Sequence, residues 1–300
     1  MTAMQNDPAC IRRQKLAFLA ATLIFGTIGL VRRYTGVSSA AIACCRGLLG
    51  GVFLAGWQRL RGRRPDWPAV RRKLLPLLLS GVMIGFNWML LFESYRYTTV
   101  AVATLCYYMA PVLLIAASPL LFGEALTAKK LVCVALAVAG MALVSGVFSA
   151  ERPEGQLTGI ACGLGAAVLY ASVMAANKKL SMLDAYDKTI VQLLAAGAVM
   201  LPYLALSGEG FGAQPDLRSV ILLLVISIVH TGLPYAMYFG AMSALPAQSV
   251  ALMSYLDPVT ALLLSALVLR EPLTAAGIAG AAMVLGAAVV SELPMRRKRP

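Results

Sequence analysis

Charged side chains are scarce in this chain. Asp, Glu, Lys and Arg make up 13% of its 300 residues, whereas a typical soluble domain contains roughly 25%. Hydrophobic residues make up 60%, and the mean hydropathy is +0.79. So few charges could not solvate a surface of ordinary size, but lipid could cover it. The composition therefore predicts an integral membrane protein, and the short connections between its apolar segments leave no room for a soluble domain.

Motifs for metal and nucleotide binding are also missing. The single histidine excludes a site with several histidine ligands. The six cysteines show no C-x-x-C spacing and most lie within apolar segments, so we interpret them as small buried residues. The P-loop pattern G-x-x-x-x-G-K-[ST] is absent, which argues against ATP-driven chemistry within this chain. We therefore expect no metal ion and no other cofactor.

Acidic residues are outnumbered two to one, with 13 Asp and Glu against 26 Lys and Arg, for a net charge of +13. In a soluble protein this excess would suggest a nucleic acid partner. Here most of the positive charge lies at the ends of apolar segments, where a lipid bilayer explains it better. We expect contact with the bilayer and none with nucleic acid.

Ten segments are long and apolar enough to cross a bilayer as helices. They are residues 16–34, 38–57, 74–95, 98–122, 130–148, 157–176, 189–206, 219–240, 247–269 and 275–291. The first follows a basic stretch and no A-x-A site closes it, so we interpret it as an uncleaved span rather than a signal peptide. With both termini on one side, 19 Lys and Arg fall on that side and 6 on the other. The excess places both termini in the cytoplasm of a multi-pass protein of the cytoplasmic (inner) membrane.

The second half of the chain repeats the first at an offset of 147 residues. Tyr108 and Pro111 match Tyr255 and Pro258 at this offset, and Glu124 matches Glu271. Five spans per half is an odd number, so the second copy must be inserted upside down. We therefore predict an all-α membrane protein of ten transmembrane helices in two inverted five-helix repeats, residues 1–150 and 151–300.

This arrangement resembles the EamA-like branch of the drug/metabolite transporter superfamily. In each half a fourth helix carries a proline and ends in a glutamate, from Tyr108 to Thr127 and from Tyr255 to Thr274. Arg46, within Cys45-Arg46-Gly47, is similar to the family's second-helix arginine. The resemblance implies a solute carrier of the cytoplasmic membrane, often an exporter of amino acids or related metabolites, with a cavity between the two halves.

Polar and aromatic residues near the middle of the spans are candidates for the substrate site. A helix rises about 1.5 Å per residue, so residues about ten positions from a span end lie near the bilayer centre. The candidates at this depth or on the same helix faces are Asp257, His230, Tyr108, Tyr255, Asn87, Trp88, Tyr238 and Thr104. Stripes such as Ser80, Asn87 and Ser94 could equally line dry helix contacts, because small polar residues serve both purposes. For Tyr108 and Tyr255, too deep for an interfacial aromatic belt, a pocket is the favoured interpretation.

Asp257 is the most informative single residue, since a carboxylate in mid-membrane costs about 2.5–3.5 kcal/mol on insertion scales. It could take up and release a proton, because burial disfavours the charged carboxylate, or it could pair with a cationic substrate. It could also be a hydrogen-bonded residue that supports the helix break at Pro258. His230 could change charge near neutral pH, although a lone buried histidine is more often a packed, hydrogen-bonded residue.

A second group of residues is expected to act structurally or in gating. We expect Arg46 to pair with Glu93 or Glu271 near one membrane surface. Glu124 and Glu271 lie at helix ends, where a charge costs little, so capping and gating both remain open. Pro111 and Pro258 each remove a backbone donor and leave a carbonyl without its helical partner; a water-filled cavity would satisfy that carbonyl.

The function that fits best is secondary transport of a small metabolite by alternating access, with protons or substrate exchange supplying the coupling. The alternative is an integral-membrane enzyme acting on a lipid or small amphiphile. An enzyme would need clustered acid, base or nucleophilic groups at one depth, and only Asp257 and His230 are candidates. The sequence does not specify the substrate, the direction of transport, the coupling ion or the oligomeric state.

Overall fold

The computed structural model describes residues 8–123, 126–144, 154–208, 210, 216–242, 245 and 253–292, which are helical with short connections and include no β-strand. The helices are α1 (Pro8–Gly26), α2 (Ile28–Arg33), α3 (Ser39–Leu60), α4 (Trp67–Arg72), α5 (Leu74–Tyr97), α6 (Val100–Tyr107), α7 (Ala110–Phe122), α8 (Ala128–Val144), α9 (Gln156–Lys179), α10 (Ala185–Ser207), α11 (Leu217–Leu224), a π-helical segment (Val225–Gly232), α12 (Leu233–Met242), α13 (Leu256–Leu267) and α14 (Ala275–Glu292).

Seven helical segments within the described residues are long and apolar enough to cross a membrane. They are Ile11–Arg33, Ser39–Leu60, Leu74–Tyr97, Val100–Phe122, Gln156–Lys179, Ala185–Ser207 and Leu217–Ala241. The shorter helices α8, α13 and α14 have 17, 12 and 18 residues and overlap the remaining predicted spans. Two of those spans, 130–148 and 247–269, extend into residues outside the described part of the chain. The short helix α4 in the basic connection was not predicted.

Several of these segments are interrupted near their middle. The first is interrupted at Thr27, whose hydroxyl bonds the carbonyl of Ile24 at 2.8 Å and so competes with the helical ladder. The fourth is interrupted at Tyr108 and Met109, immediately before Pro111. Because Pro111 has no N–H, the carbonyl of Tyr107 receives no hydrogen bond from it. The interruption predicted from Pro111 is therefore present.

Some helices begin with a side-chain cap, and others do not. Side-chain oxygens cap α3, α4, α6, α10 and α11, at Ser38, Asp66, Thr99, Asp184 and Asp216. The helices α7 and α13 start inside the bundle, after Met109 and Tyr255, and neither of these residues forms a side-chain cap. The positive ends of two helix dipoles therefore point into the interior.

Small residues bring the two halves of the chain together. Helix α3 packs on α10, and a Cβ added to Gly47 would overlap the backbone nitrogen of Gly197. Helix α8 packs on α14, where Gly140 meets the backbone of Gly280 in the same way. These close crossings agree with small residues acting as packing positions between membrane helices. Helix α5 packs on α9, and α1 packs on α12.

The polar stripe of α5 takes part in this packing. The Asn87 amide donates to the Ala166 carbonyl at 2.5 Å, and Ser94 donates to the Gly159 carbonyl at 2.7 Å. Ser80 accepts a hydrogen bond from Gln192 at 2.7 Å. All three side chains are buried against α9 or α10. These contacts match the packing alternative for the stripe, and the place of Asn87 in the substrate site stays a prediction.

Candidate functional site

Three helix interruptions meet in the middle of the bundle. A Cβ added to Gly26, beside the interruption at Thr27, would lie 2.6 Å from the carbonyl oxygen of Asp257. Asp257 lies in the first turn of α13 and accepts a hydrogen bond from Tyr108, at the interruption between α6 and α7. The N-terminal ends of α7 and α13, where the helix dipoles are positive, therefore lie close together. The carboxylate of Asp257 belongs to the first turn of α13.

The hydrogen bond between Tyr108 and Asp257 joins the two halves of the chain. The phenol oxygen of Tyr108 lies 2.5 Å from the Asp257 Oδ2 atom, across 149 residues of sequence. At the repeat offset, the equivalent of Tyr108 is Tyr255 and the equivalent of Asp257 is Ala110. The bond therefore has no counterpart on the other side of the repeat, and the site is asymmetric.

Further tyrosines surround this pair. We call Tyr107, Tyr108, Tyr170, Tyr235 and Asp257 the central cluster. The rings of Tyr107 and Tyr170 stack with centroids 4.9 Å apart, and Tyr108 meets Tyr107 edge-on at 5.9 Å. Each member lies deep in the bundle yet is only half-buried. Deep side chains with accessible surface indicate a space inside the bundle that water or a small molecule can enter.

Arg46 interacts electrostatically with the central cluster and does not form the ion pair expected from the sequence. Its Nε donates to the Thr231 hydroxyl at 2.7 Å, and its guanidinium lies 4.1 Å from the centre of the Trp88 ring. Glu93 instead accepts from Ser39 at 2.7 Å. Ser39 lies seven residues from Arg46 along α3, or about 10 Å, so Glu93 is out of reach. The expected pairing of Arg46 with Glu93 or Glu271 is therefore wrong.

The two glutamates have other basic partners at one end of the bundle. Glu93 pairs with Arg96 at 2.9 Å. Glu271 pairs with Arg33 at 2.7 Å and also accepts from the backbone N–H of Val100 at 2.9 Å and from the hydroxyl of Ser265. Glu271 therefore holds the end of α13 to α2 and to the start of α6, which is a contact between the two halves.

The π-helical segment connects Arg46 to the interruption at Thr27. Nε2 of His230 lies 2.8 Å from the Thr27 hydroxyl, and the Thr231 hydroxyl donates to the Ile226 carbonyl at 3.0 Å while accepting from Arg46. His230 is only 4% exposed. This agrees with the packed, hydrogen-bonded interpretation of the histidine. Short π-helical segments occur frequently at functional sites.

The remaining predicted residues lie around the central cluster or outside the described part of the chain. Trp88 is buried beneath Arg46, and Thr104 shares a hydrogen bond of 3.3 Å with the phenol of Tyr95. Tyr238 packs its ring on Phe18 at 4.6 Å. Tyr255 is half-buried immediately before α13, in which Pro258 is buried. Glu124 is outside the described residues.

An apolar groove of about 320 Å³ lies elsewhere, between α8 and α14. It is lined by Ala128, Lys129, Val132, Cys133, Leu136, Gly286, Ala287 and Val290. Its lining offers one charged group, and none of the central cluster reaches it. We interpret it as a lipid-facing surface and not as the functional site.

Sequence reasoning missed Tyr107, Tyr170 and Tyr235. Tyr170 lies 14 residues into α9 and would have passed the same test of membrane depth that selected Tyr108. Tyr235 lies close to the predicted residue Tyr238 in the same span. Tyr170 and Tyr107 come together because α9 packs against α6 and α7. That packing cannot be read from the sequence of any one of these helices.

A multi-pass helical bundle with interrupted helices around a polar, aromatic interior is the architecture of a membrane transporter. The sequence model of the EamA-like transporter family matches residues 14–146 and again 157–292. The chain therefore belongs to the EamA-like transporter family, within the drug/metabolite transporter superfamily, and is a multi-pass membrane protein.

Several known proteins are similar to this chain over most of their length. It is 28% identical over 268 residues to an uncharacterized transporter, YxxF, of Bacillus subtilis, covering 87% of this chain and 85% of that protein. It is 26% identical over 266 residues to a probable amino-acid metabolite efflux pump of Salmonella typhimurium, covering 83% and 87%. A solved crystal structure, 20% identical, superposes with a TM-score of 0.64 over 93% of this chain and 96% of that one. This last likeness shows the fold alone.

Proposed function

We propose that the chain is a secondary transporter that moves a small metabolite, an amino acid or related compound, out of the cell across the cytoplasmic membrane by alternating access. The observation that carries the proposal is the Tyr108–Asp257 hydrogen bond, which joins two interior helix interruptions within a half-buried tyrosine cluster. Interrupted helices around a midplane site are how many secondary transporters hold their solute. The printed name of the Salmonella relative, a probable amino-acid metabolite efflux pump, supports this substrate class and this direction.

Ten spans in two inverted repeats form the framework of this proposal. The family model matches the chain twice, once on each side of residue 150. Helix contacts occur in pairs that a two-fold axis in the membrane plane would generate. Helices equivalent by the repeat pack on each other, α3 on α10 and α8 on α14, while α5 on α9 is matched by α12 on α1. Such an axis makes two alternative openings of one site nearly equivalent in energy.

Alternating access needs contacts that break and reform at the ends of the bundle. Glu271, with Arg33, Val100 and Ser265, joins the two halves at the end that positive charge assigns to the outside. We propose that this contact closes the outer exit. The Arg33 and Glu271 side chains are 32% and 12% exposed, so water can compete for them and the contact can open at modest cost.

Asp257 is the proposed coupling residue. It is the acidic member of the central cluster, and a carboxyl group at mid-membrane normally has a functional partner. In the proposal Asp257 exchanges a proton, or binds the cationic group of the substrate, as the site faces each side in turn. Either step would disturb the hydrogen bond from Tyr108 to Asp257. Because that bond joins the two halves of the chain, the step would affect the position of both halves.

Exchange of labelled solute in sealed vesicles tests the transport function. Purified protein is reconstituted with common amino acids, amines or nucleobases inside, and uptake of the labelled counterpart is followed. We expect at least one labelled compound to exchange without chemical change. A compound recovered altered would favour a membrane enzyme, and no exchange by any compound would contradict the proposal.

The two tyrosines related by the repeat provide a first mutational test. We expect Tyr108→Ala to weaken substrate binding about fivefold or more, because it removes the ring that bonds Asp257, and we expect a similar loss for Tyr255→Ala, its equivalent in the repeat. Tyr108→Phe should retain the ring and lose only the hydrogen bond to Asp257. Binding of the transported solute to purified protein measures both effects. Normal affinity in both alanine variants would remove the aromatic cluster from the site.

The proposed orientation is tested by cysteine labelling. On a cysteine-free background, Arg64→Cys, in the basic connection, should react in intact cells only with a membrane-permeant maleimide. Glu154→Cys, before α9, should react with an impermeant one. Both positions are exposed, so labelling should depend on sidedness and not on burial. The reverse pattern would overturn the assignment of both termini to the cytoplasm.

A further inference from the structure

Arg46 is a buried cation without a carboxylate partner among the described residues. Its side chain is only 5% exposed. Its Nε bonds Thr231 and its flat face lies over Trp88, and these contacts fix the plane of the guanidinium. Neither Nη atom forms a hydrogen bond to another described residue. An arginine held this way is a preformed donor pair, since two Nη groups can receive both oxygens of a carboxylate.

The central cluster is close to the guanidinium of Arg46. Arg46 lies within electrostatic reach of Tyr107, Tyr235 and Asp257. Asp257 is nevertheless farther than the 4.0 Å of an ion pair. Arg46 and Asp257 therefore interact electrostatically beside the same tyrosines without forming an ion pair. Burying a charge without a partner is costly, so a ligand that supplies the missing carboxylate would relieve that cost.

Resting on the proposed transport function, we propose that Arg46 forms a carboxylate-binding subsite, so that the substrate is zwitterionic. Its carboxylate binds the Nη atoms of Arg46, and its ammonium group binds Asp257 across the cluster. The tyrosine rings contact the part of the substrate between and beside the two charged groups. The site then selects amino acids over the corresponding amines, a distinction that Asp257 and the aromatic residues alone would not make.

Trp88 provides a reporter for this binding. The chain has three tryptophans, so Trp57→Phe with Trp67→Phe leaves Trp88 as the sole indole. The probes are L-phenylalanine and the other common L-amino acids, each compared with the amine that lacks its carboxylate, such as 2-phenylethylamine. Fluorescence of Trp88 in purified protein gives the affinity for each probe. A carboxylate that engages the guanidinium above the ring should change this emission.

We expect at least one amino acid to bind, and its amine to bind about tenfold or more weakly, because a charge-assisted bidentate contact is lost. Arg46→Gln should reduce the affinity for that amino acid by a similar factor but should not reduce the affinity for its amine, because the amine has no carboxylate to bind Arg46. Arg46→Lys should recover part of the loss. Arg32→Gln is the matched control: it removes a guanidinium that is 6% exposed but bonds Ser39 and the Thr35 carbonyl, and binding should be unaffected.

Equal affinity for amino acids and amines in the wild type would overturn the carboxylate subsite, as would absence of binding by every carboxylate tested. This comparison does not depend on whether Arg46→Gln folds. Undiminished amino-acid binding in Arg46→Gln would overturn it as well. Vesicle exchange separates this inference from the transport function. If an amine exchanges equally well with and without Arg46 while amino acids do not exchange, the carboxylate subsite is contradicted and the transport function stands. If an amino acid binds through Arg46 but is never exchanged, the transport function is contradicted and the subsite stands.

Discussion

Asp257→Asn should abolish solute movement driven by a pH gradient while leaving the fold intact. The substitution preserves the shape of the side chain and an oxygen that can accept from Tyr108, but removes the titratable charge. An amide cannot take up and release the proton that a carboxyl group can, so we expect gradient-driven uptake to fall to the level of protein-free vesicles. Uptake into proteoliposomes at a series of internal and external pH values measures this loss.

Asp187→Asn is the matched control for this experiment. Asp187 is also buried, at 5% exposure, but it accepts from Gln58 at 2.6 Å and from the backbone of Asp66 at 2.9 Å, neither of which belongs to the central cluster. Its loss should lower the thermal stability and leave the pH dependence of uptake as in the wild type. A wild-type pH profile in Asp257→Asn would show that Asp257 does not carry the coupling proton. If counterflow without a gradient also remained normal, the carboxylate would have only the structural role of supporting the Pro258 interruption.

The helices were largely predictable because hydropathy is a local property. Each predicted span overlaps helices of the structure, and the interruption before Pro111 follows from the missing N–H of proline. The interruptions at Thr27 and at the π-helical segment were not predictable in the same way. There the side chains of Thr27, His230 and Thr231 hydrogen-bond one another, Arg46 and nearby backbone carbonyls. Their effect depends on neighbours that hydropathy does not describe.

The candidate site was predictable in composition but not in pairing. Asp257 and Tyr108 were identified because a mid-membrane carboxylate and a deep tyrosine are each unusual. That they bond each other depends on how two half-chains dock, with 149 residues between them. Arg46 was assigned the wrong partner because depth in the membrane was estimated from position along the chain. An error of two helical turns in the position of Arg46 corresponds to about 11 Å along the helix axis. That distance is too long for an ion pair, yet a predicted helix end can easily be misplaced by a comparable amount.

The docking of the halves can itself be tested at the closest crossing of α3 and α10. We expect Gly47→Leu to prevent stable folding, because even its Cβ would overlap the backbone of Gly197 and would lie 2.6 Å from the Leu193 carbonyl oxygen. A backbone cannot rotate away as a side chain can, so the two helices must separate, at about 3 kcal/mol or more. Gly56→Leu is the control in the same helix, since a Cβ at Gly56 meets nothing within 4 Å. Thermal unfolding of purified protein and solute exchange should both fail for Gly47→Leu and remain normal for Gly56→Leu. Equal behaviour of the two variants would mean that α3 and α10 are not in contact at Gly47, and the pairing of helices across the two-fold axis would fall with it.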